Sequence, residues 1–366
     1  MGAYLVKFTP LEPYFFGNER NFGYGLAKNK TYFIESNELP SQSTLFGTLR
    51  YCCIEALDKS YNINPEEIGA ESFNLLSEKI QSFGKIKRMS PIFLAKGDVF
   101  YIPVPMNHKK AVYYTPFSQY EECLTEKGIR SFPVDYDTKV GLQDGFMQIN
   151  GEQQGKVFIN YSSESLLFKA DRIGINTRNR QQGFFRKVYC MLAQGCSFAV
   201  LADIDKQVPD QMVYMGRDKS PFKVSFIDTE SVFGAGKNKY GDAFSAMIKM
   251  IKDCIKKFNN SKKFQLALSD LYIPNNVEEI YNGCSFSCIK TKDYRSFTTN
   301  YKTTRFENRF QRGRTLQTMI KAGSIFVLKD ETTSVLLPWK DSTVVRNAQQ
   351  IGCLLYTSPR PRDRQK

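Results

Sequence analysis

The sequence predicts an α+β fold in two parts, on three observations. A hydroxyl-capped helix lies between short strand patterns near the N-terminus, alternating aromatic and β-branched segments resume after residue 161, and 366 residues with 42% hydrophobic content suffice for a substantial core and two domains. Tyr4 to Phe8 and Lys30 to Ile34 read as strands, separated by the glycine-punctuated loop Phe16 to Gly25. The helix begins near Ser41 and runs to about Leu57. Ser41, Ser43 and Thr44 can accept hydrogen bonds from its first N–H groups, Leu45, Leu49 and Ile54 form one apolar stripe, and Gly47 permits close packing. A second amphipathic segment spans about Pro65 to Phe83. Strand patterns at Ile92 to Leu94 and Val99 to Ile102 flank Lys96-Gly97-Asp98. From about Met106 to Tyr161 the pattern loosens into Pro, Gly and polar residues, including Gly141 to Gly155, and reads as an insertion or connector. Phe168 to Ile175, Phe184 to Leu192 and Phe198 to Ile204 are strands by alternation, as are Pro221 to Phe226, Phe264 to Leu268 and Ser324 to Leu328. Asp242 to Phe258 is a basic amphipathic helix with Lys249, Lys252, Lys256 and Lys257 on its solvated face.

Lys and Arg total 51 against 37 Asp and Glu, and an excess of +14 points to a polyanionic partner, nucleic acid above any small acidic substrate. An inert basic surface is the plainer alternative. Lys290 to Arg314 mixes eight cations with only Asp293 and Glu307, and interleaves Tyr294, Phe297, Tyr301, Phe306 and Phe310. Cations there can neutralise phosphates while some rings stack on unpaired bases and others enter the core. The nine cysteines are scattered without a C-x-x-C pair, and the single histidine, His108, completes no mixed ligand set, so reduced thiols and no metal are expected. The sequence has no run of 18 apolar residues and starts with a strand pattern, the expectation being a soluble, cytoplasmic protein without a membrane segment. Residues 353–366 lose all periodicity and resemble a translated adapter read-through, with a genuine Arg-rich tail as the competing reading. Four cations against Asp363 give that tail +3, leaving +11 for the rest.

Four ordered blocks carry a family resemblance. The first joins Phe15-Phe16-Gly17-Asn18-Glu19-Arg20-Asn21-Phe22 to Pro40-Ser41-Gln42-Ser43-Thr44-Leu45-Phe46-Gly47-Thr48-Leu49-Arg50. The others are Ser90 to Pro105, Arg172 to Asn176 followed by Gln182 to Phe185, and Lys321 to Val327. In this order they resemble the RAMP proteins of CRISPR systems, and within them the third subunit of the Cmr (type III-B) complex. The resemblance implies tandem ferredoxin-like, RRM-like domains with inserted loops, here residues 1–160 with an insertion and residues 161–352. It also implies a non-catalytic subunit that grips the 5′ handle of a CRISPR RNA between a large polymerase-like subunit and backbone RAMP subunits, meeting target RNA indirectly, in antiviral defence. A Csm-type handle-binding subunit is the nearest alternative.

Candidate RNA contacts follow from the residues within these blocks. The strand Arg172-Ile173-Gly174-Ile175-Asn176 leads into a polar turn where Arg178 and Arg180 can clamp phosphate or stack on a base, and Asn176 and Gln182 can read base edges. An ordinary basic hairpin is the structural alternative. Asn18 and Arg20 lie in a glycine loop that admits close backbone approach but lacks P-loop spacing. Arg50 either faces RNA or pairs with Glu55. Arg295, Arg305 and Arg309 complete the set, and no cofactor is expected. Phe233 to Tyr240 is a flexible basic loop. Catalysis has thin support: His108 in Pro105 to Lys110 would be the base of a repeat-processing endoribonuclease, and Asp203 and Asp205 form one close pair better suited to a turn or cap than to Mg2+. A third alternative is a structural spacer.

Overall fold

The computed structural model describes residues 2–17, 32–54, 69, 79–126, 128–176, 183–216, 218–233, 242–258, 264–272, 284–294, 297–299, 310–312, 317–328 and 343–352. In chain order the strands are β1 (Gly2–Pro10), β2 (Tyr32–Glu35), β3 (Ile86–Met89), β4 (Phe93–Lys96), β5 (Val99–Pro103), β6 (Tyr120–Thr125), β7 (Gly128–Pro133), β8 (Gly145–Gln148), β9 (Val157–Ile159), β10 (Leu167–Asn176) and β11 (Gly183–Leu192). They continue with β12 (Cys196–Ile204), β13 (Gln211–Met215), β14 (Ser220–Asp228), β15 (Phe264–Leu266), β16 (Leu271–Tyr272), β17 (Cys284–Cys288), β18 (Thr291–Tyr294), β19 (Phe297–Thr299), β20 (Phe310–Arg312), β21 (Gln317–Ile320) and β22 (Ile325–Leu328). The helices are α1 (Gln42–Cys52), α2 (Thr229–Phe233), α3 (Asp242–Phe258) and α4 (Thr343–Gln350).

The main sheet has the order β13-β14-β1-β12-β4-β5-β8-β9, with β3 pairing beside β4 along the same strand, β12. Strand β12, Cys-Ser-Phe-Ala-Val-Leu-Ala-Asp-Ile, is buried at every position, as expected of a strand covered on both faces. Phe198, Val200, Ala202 and Ile204 point into one core with Val6 and Phe8 of β1 and with Leu45, Phe46 and Leu49 of α1. Ala199 and Leu201 point into a second core with Leu5 and with Phe244, Met247, Ile251 and Cys254 of α3. The sheet therefore separates two apolar layers, one under each long helix. It joins strands from both sides of residue 160, so the expected boundary between 1–160 and 161–352 falls inside one hydrogen-bonded sheet.

Helix α1 begins where its hydroxyl cap places it, with the Ser41 side chain accepting from the Thr44 N–H at 3.2 Å. Two expectations need correction. The helix stops at Cys52, with Cys53 as its C-cap, rather than near Leu57. A Cβ at Gly47 would meet nothing within 4 Å, so this glycine faces open space and serves no close packing. The supposed connector 106–161 is also more ordered than expected: β8 and β9 extend the main sheet, and β6 and β7 form a separate hairpin. Its sequence hides this because Gly145, Gly151 and Gly155 punctuate short strands, and a Cβ at Gly145 would lie 2.4 Å from the Phe158 carbonyl oxygen of the paired strand.

A smaller sheet, β10-β11-β2, stands beside the main one, with β10 and β11 antiparallel over ten residue pairs and β2 parallel to β11. The turn between β13 and β14 anchors it. Gly216 has φ +75°, and a Cβ there would lie 2.3 Å from the Phe15 carbonyl oxygen. Ser220 Oγ accepts from the Phe15 N–H at 3.3 Å in the same turn. Gly216→Ala should therefore lose at least about 1–2 kcal/mol from the left-handed backbone alone. Chemical denaturation checks this, and an unchanged midpoint would show that the turn is not held as described.

Candidate nucleic-acid interface

The β10-β11 ribbon carries the first candidate cation. Arg172 is exposed on β10, opposite Lys187 in register, and its guanidinium lies over the Tyr189 ring at 4.5 Å. Tyr189 donates its hydroxyl proton to Asp218 Oδ2 at 2.6 Å, and Lys187 Nζ pairs with the same carboxylate at 2.9 Å. Burial pushes the Tyr189 hydroxyl up to about 12, helped by Asp218, so it remains a donor at neutral pH. Phe15 packs against Tyr189 from behind, with ring centroids 5.3 Å apart. On the opposite face Arg186 pairs with Asp171 at 2.7 Å and Lys169 with Glu35 at 3.2 Å. Three of the four described ribbon cations thus have a carboxylate within reach, whereas Arg172 lies over the Tyr189 ring.

Where the ribbon's Lys169 ends, a cavity of about 420 Å³ opens. Its walls come from Glu38 to Ser43 at the start of α1, Pro103 and Val104 of the second block, Asp144, Tyr161 and Lys169, and Lys290, Lys292 and Lys321 from the C-terminal strands. Lys321 Nζ lies 3.3 Å from both Glu38 Oε2 and Asp144 Oδ1, and Lys290 Nζ lies 2.8 Å from Asp144 Oδ2. Tyr161 donates to Glu38 Oε1 at 3.0 Å, and Lys292 pairs with Asp270. Burial alone would lower the Lys321 ammonium, but Glu38 and Asp144 together hold it above its usual range. Burial would likewise raise Asp144, and Lys321 with Lys290 holds it low instead. The result is a walled, charge-balanced recess at the N-terminus of α1. The first, second and fourth blocks quoted above line it directly, and Lys169 belongs to the strand of the third.

Among the predicted site residues, Arg172 lies on the ribbon face away from Lys169 and does not line the recess. Asn176 closes β10 opposite Gly183 at the ribbon's far end. Arg50 requires correction: it is 5% exposed, one helical turn from Phe46 and over its ring at 5.4 Å, and so belongs to the buried side of α1 rather than to an RNA-facing surface. Asn18, Arg20, Arg178, Arg180, Gln182, Arg295, Arg305 and Arg309 lie outside the described residues, as do Glu55 and the loop from residue 234. Lys187, Tyr189, Glu38, Asp144 and Lys321 were not singled out by sequence reasoning. Lys321 opens the fourth block, and that position was the available signal.

His108 is buried, with Nδ1 accepting from the Thr115 N–H at 3.1 Å and the ring tilted against Tyr114. Burial holds its pKa down to about 4, far from the neutrality a general base needs. Asp203 is fully buried opposite Arg88, while the Asp205 N–H donates to the Lys85 carbonyl. Among the described residues no three His, Cys, Asp or Glu side chains gather as a metal-ligand set, and eight cysteines are free thiols. None of the described helices is long and apolar enough to cross a membrane. His108 sets a pH dependence. Its folded pKa lies below the unfolded value near 6.5, so its contribution is full above that value and is lost as pH falls toward 4. The loss should reach on the order of 3 kcal/mol. Denaturation of the parent and of His108→Gln across pH 7 to 4 reads the difference, and parallel profiles would refute it.

Residues 6–125 match the model of a family described as CRISPR-associated protein (Cas_Cmr3). No curated protein matches the sequence. Among solved structures, a chain of the type III-B Cmr-beta complex bound to cognate target RNA aligns over 97% of this chain and 96% of its own, at 14% identity and TM-score 0.47. A chain of a Csm1-Csm4 cassette in complex with pppApA aligns over 90% and 88%, at 12% identity and TM-score 0.32. The matched residues cover the first block, α1 and the strands of the second, and over them the chain is similar to the Cas_Cmr3 family of CRISPR-associated proteins.

Proposed function

We propose that the chain is a non-catalytic subunit of a type III-B-like RNA-guided effector complex, cytoplasmic, which holds the 5′ handle of the CRISPR RNA and contacts the large polymerase-like subunit and a backbone RAMP subunit. Two observations carry this reading: Arg172 is an exposed guanidinium over the Tyr189 ring on one ribbon face, and Lys169 on the other face lines a recess built by blocks that carry the resemblance. A planar cation preset on a ring can take a phosphate bidentately or extend the stack to an unpaired base without first losing its rotamer freedom. The recess offers Lys and carboxylate groups already satisfied by one another, so entering polar groups meet directional partners rather than an unscreened charge. A ferredoxin-like reading of the main sheet is supported by order and direction: β1, α1 and β4 form a split β-α-β unit with β12 between the two strands, and β14 closes the other side of β1. Strand β13, not a helix, occupies the connection between β12 and β14. A neutral, buried His108 favours binding over metal-free cleavage.

Binding of the chain to a repeat-derived handle RNA and to a scrambled RNA, followed across salt concentrations, tests the reading. Tighter handle binding is expected, with Arg172→Ala weakening it about tenfold and reducing the salt slope by roughly one. Equal affinity for both RNAs, or cleavage of either, would defeat the proposal.

A further inference from the structure

The outward side of helix α3 takes no part in the arrangement above. The helix buries Phe244, Met247, Ile251 and Cys254 in the second apolar layer, and none of its residues lines the recess. At about 100° per residue, Lys249, Lys252 and Lys256 fall on one stripe opposite that buried side, over about 10 Å of helix. Lys249 and Lys256 are exposed and Lys252 partly so. Asp253 stands beside them, yet among the described residues no carboxylate comes within ion-pair distance of these lysines or of the neighbouring Lys257. In this they differ from Lys169, Lys187, Lys290 and Lys321, each of which has an acidic partner. An aromatic platform stands at the end of the stripe. Tyr113 stacks on Phe258, the last residue of α3, with ring centroids 6.4 Å and planes 14° apart, and is still 45% exposed. Lys257 Nζ lies 5.5 Å from the centroid of the Phe258 ring. The backbone is shaped for this pair: Gly155 has φ +86°, a Cβ there would strike the Phe258 ring, and its carbonyl accepts from the Tyr114 N–H at 2.8 Å. Ammonium groups are point charges that neutralise phosphates without reading sequence, and an open ring takes any base on its face. An acidic protein surface answers the lysines alone, whereas a single nucleic-acid strand supplies both a row of anions and flat faces.

We infer that α3 and Tyr113 form a second RNA-binding surface, which takes a single strand by its phosphates along Lys249, Lys252 and Lys256 and by one unpaired base on Tyr113, without regard to sequence. The choice of RNA rests on the reading above, but the surface depends neither on Arg172 nor on the handle. The test follows binding of a scrambled single-stranded RNA to the full chain by fluorescence anisotropy across salt concentrations. Lys249→Gln with Lys252→Gln and Lys256→Gln should weaken binding at least about tenfold and lower the salt slope by about two. Removing the same charge at three exposed lysines elsewhere, by Lys87→Gln with Lys96→Gln and Lys223→Gln, should leave affinity within about threefold. Tyr113→Ala should cost about tenfold at unchanged slope, and Tyr113→Phe should restore binding. A 4-thiouridine-substituted RNA should photocrosslink to the peptide that contains Tyr113, a readout that needs no variant to fold. Equal losses in the two lysine triples overturn the inference, since net charge alone would then set affinity, and so does crosslinking confined to other peptides. Unchanged RNA binding by the α3 triple, with release of a protein subunit from the purified ribonucleoprotein, makes the stripe a protein contact and overturns it too. If handle RNA binds no more tightly than scrambled RNA while the α3 and Tyr113 effects persist, the handle reading falls and this surface stands.

Discussion

Burial of β12 on both faces is the constraint from which the rest of the architecture follows. Its nine residues lie between β1 on one edge and β3 with β4 on the other, and between two apolar layers. A strand without a polar face cannot end a sheet or meet water, so both layers must be roofed. Helix α1 covers one and α3 the other, and the C-terminal strands divide their apolar side chains between the two cores, Phe326 on one side and Ile325 with Val327 on the other. At about 25 cal/mol per Å² of apolar surface removed from water, aromatic packing such as Tyr14, Phe16, Phe198 and Phe222 makes this junction costly to open. Residues far apart in sequence are thereby held as one body.

That closure explains why the recess forms where it does. Glu38 belongs to the approach to α1, Asp144 to the edge of β8, and Lys290 with Lys321 to the C-terminal strands, so no local segment could assemble the network. Each charge is partly withdrawn from water and each has a partner of opposite sign, the condition under which such groups can be buried at all. The same logic applies at Asp218, which satisfies both Lys187 and Tyr189 and fixes the ring on which Arg172 rests. Acidic residues in this basic chain act here as supports that set the direction of nearby cations.

Much of the frame was legible because its period is strong. Strands β1, β10, β11 and β14 and helix α3 alternate or repeat cleanly, β12 reads as a short continuous apolar run, and Ser41 marked the start of α1 through the hydrogen bond its oxygen makes. The end of α1 was not legible, since Ile54 continues the apolar stripe while the chain turns at Cys53. The strands between residues 106 and 161 escaped notice because they are short and glycine-bounded, so hydrogen bonding to distant β5 decides them more than local preference. Arg172 was readable from its place in a basic strand. The burial of Arg50 was not, because an arginine stem can cover an aromatic ring as readily as it can reach solvent. The recess was invisible for a different reason: it is made of pairings between distant segments, of which sequence shows only the separate halves.

An uneven distribution of charge connects these features. A net charge of +14 would by itself promote indiscriminate attraction to polyanions. Carboxylates near Lys169, Arg186, Lys187, Lys290 and Lys321 temper that attraction over the ribbon and recess. Arg172 lies over the Tyr189 ring instead, and in the proposed reading its position as well as its sign would bear on which ligand binds. On the proposed reading, affinity for a polyanion and selectivity among polyanions would therefore be set by different residues: the first by the sum of the surface, the second by the few cations whose position the fold dictates.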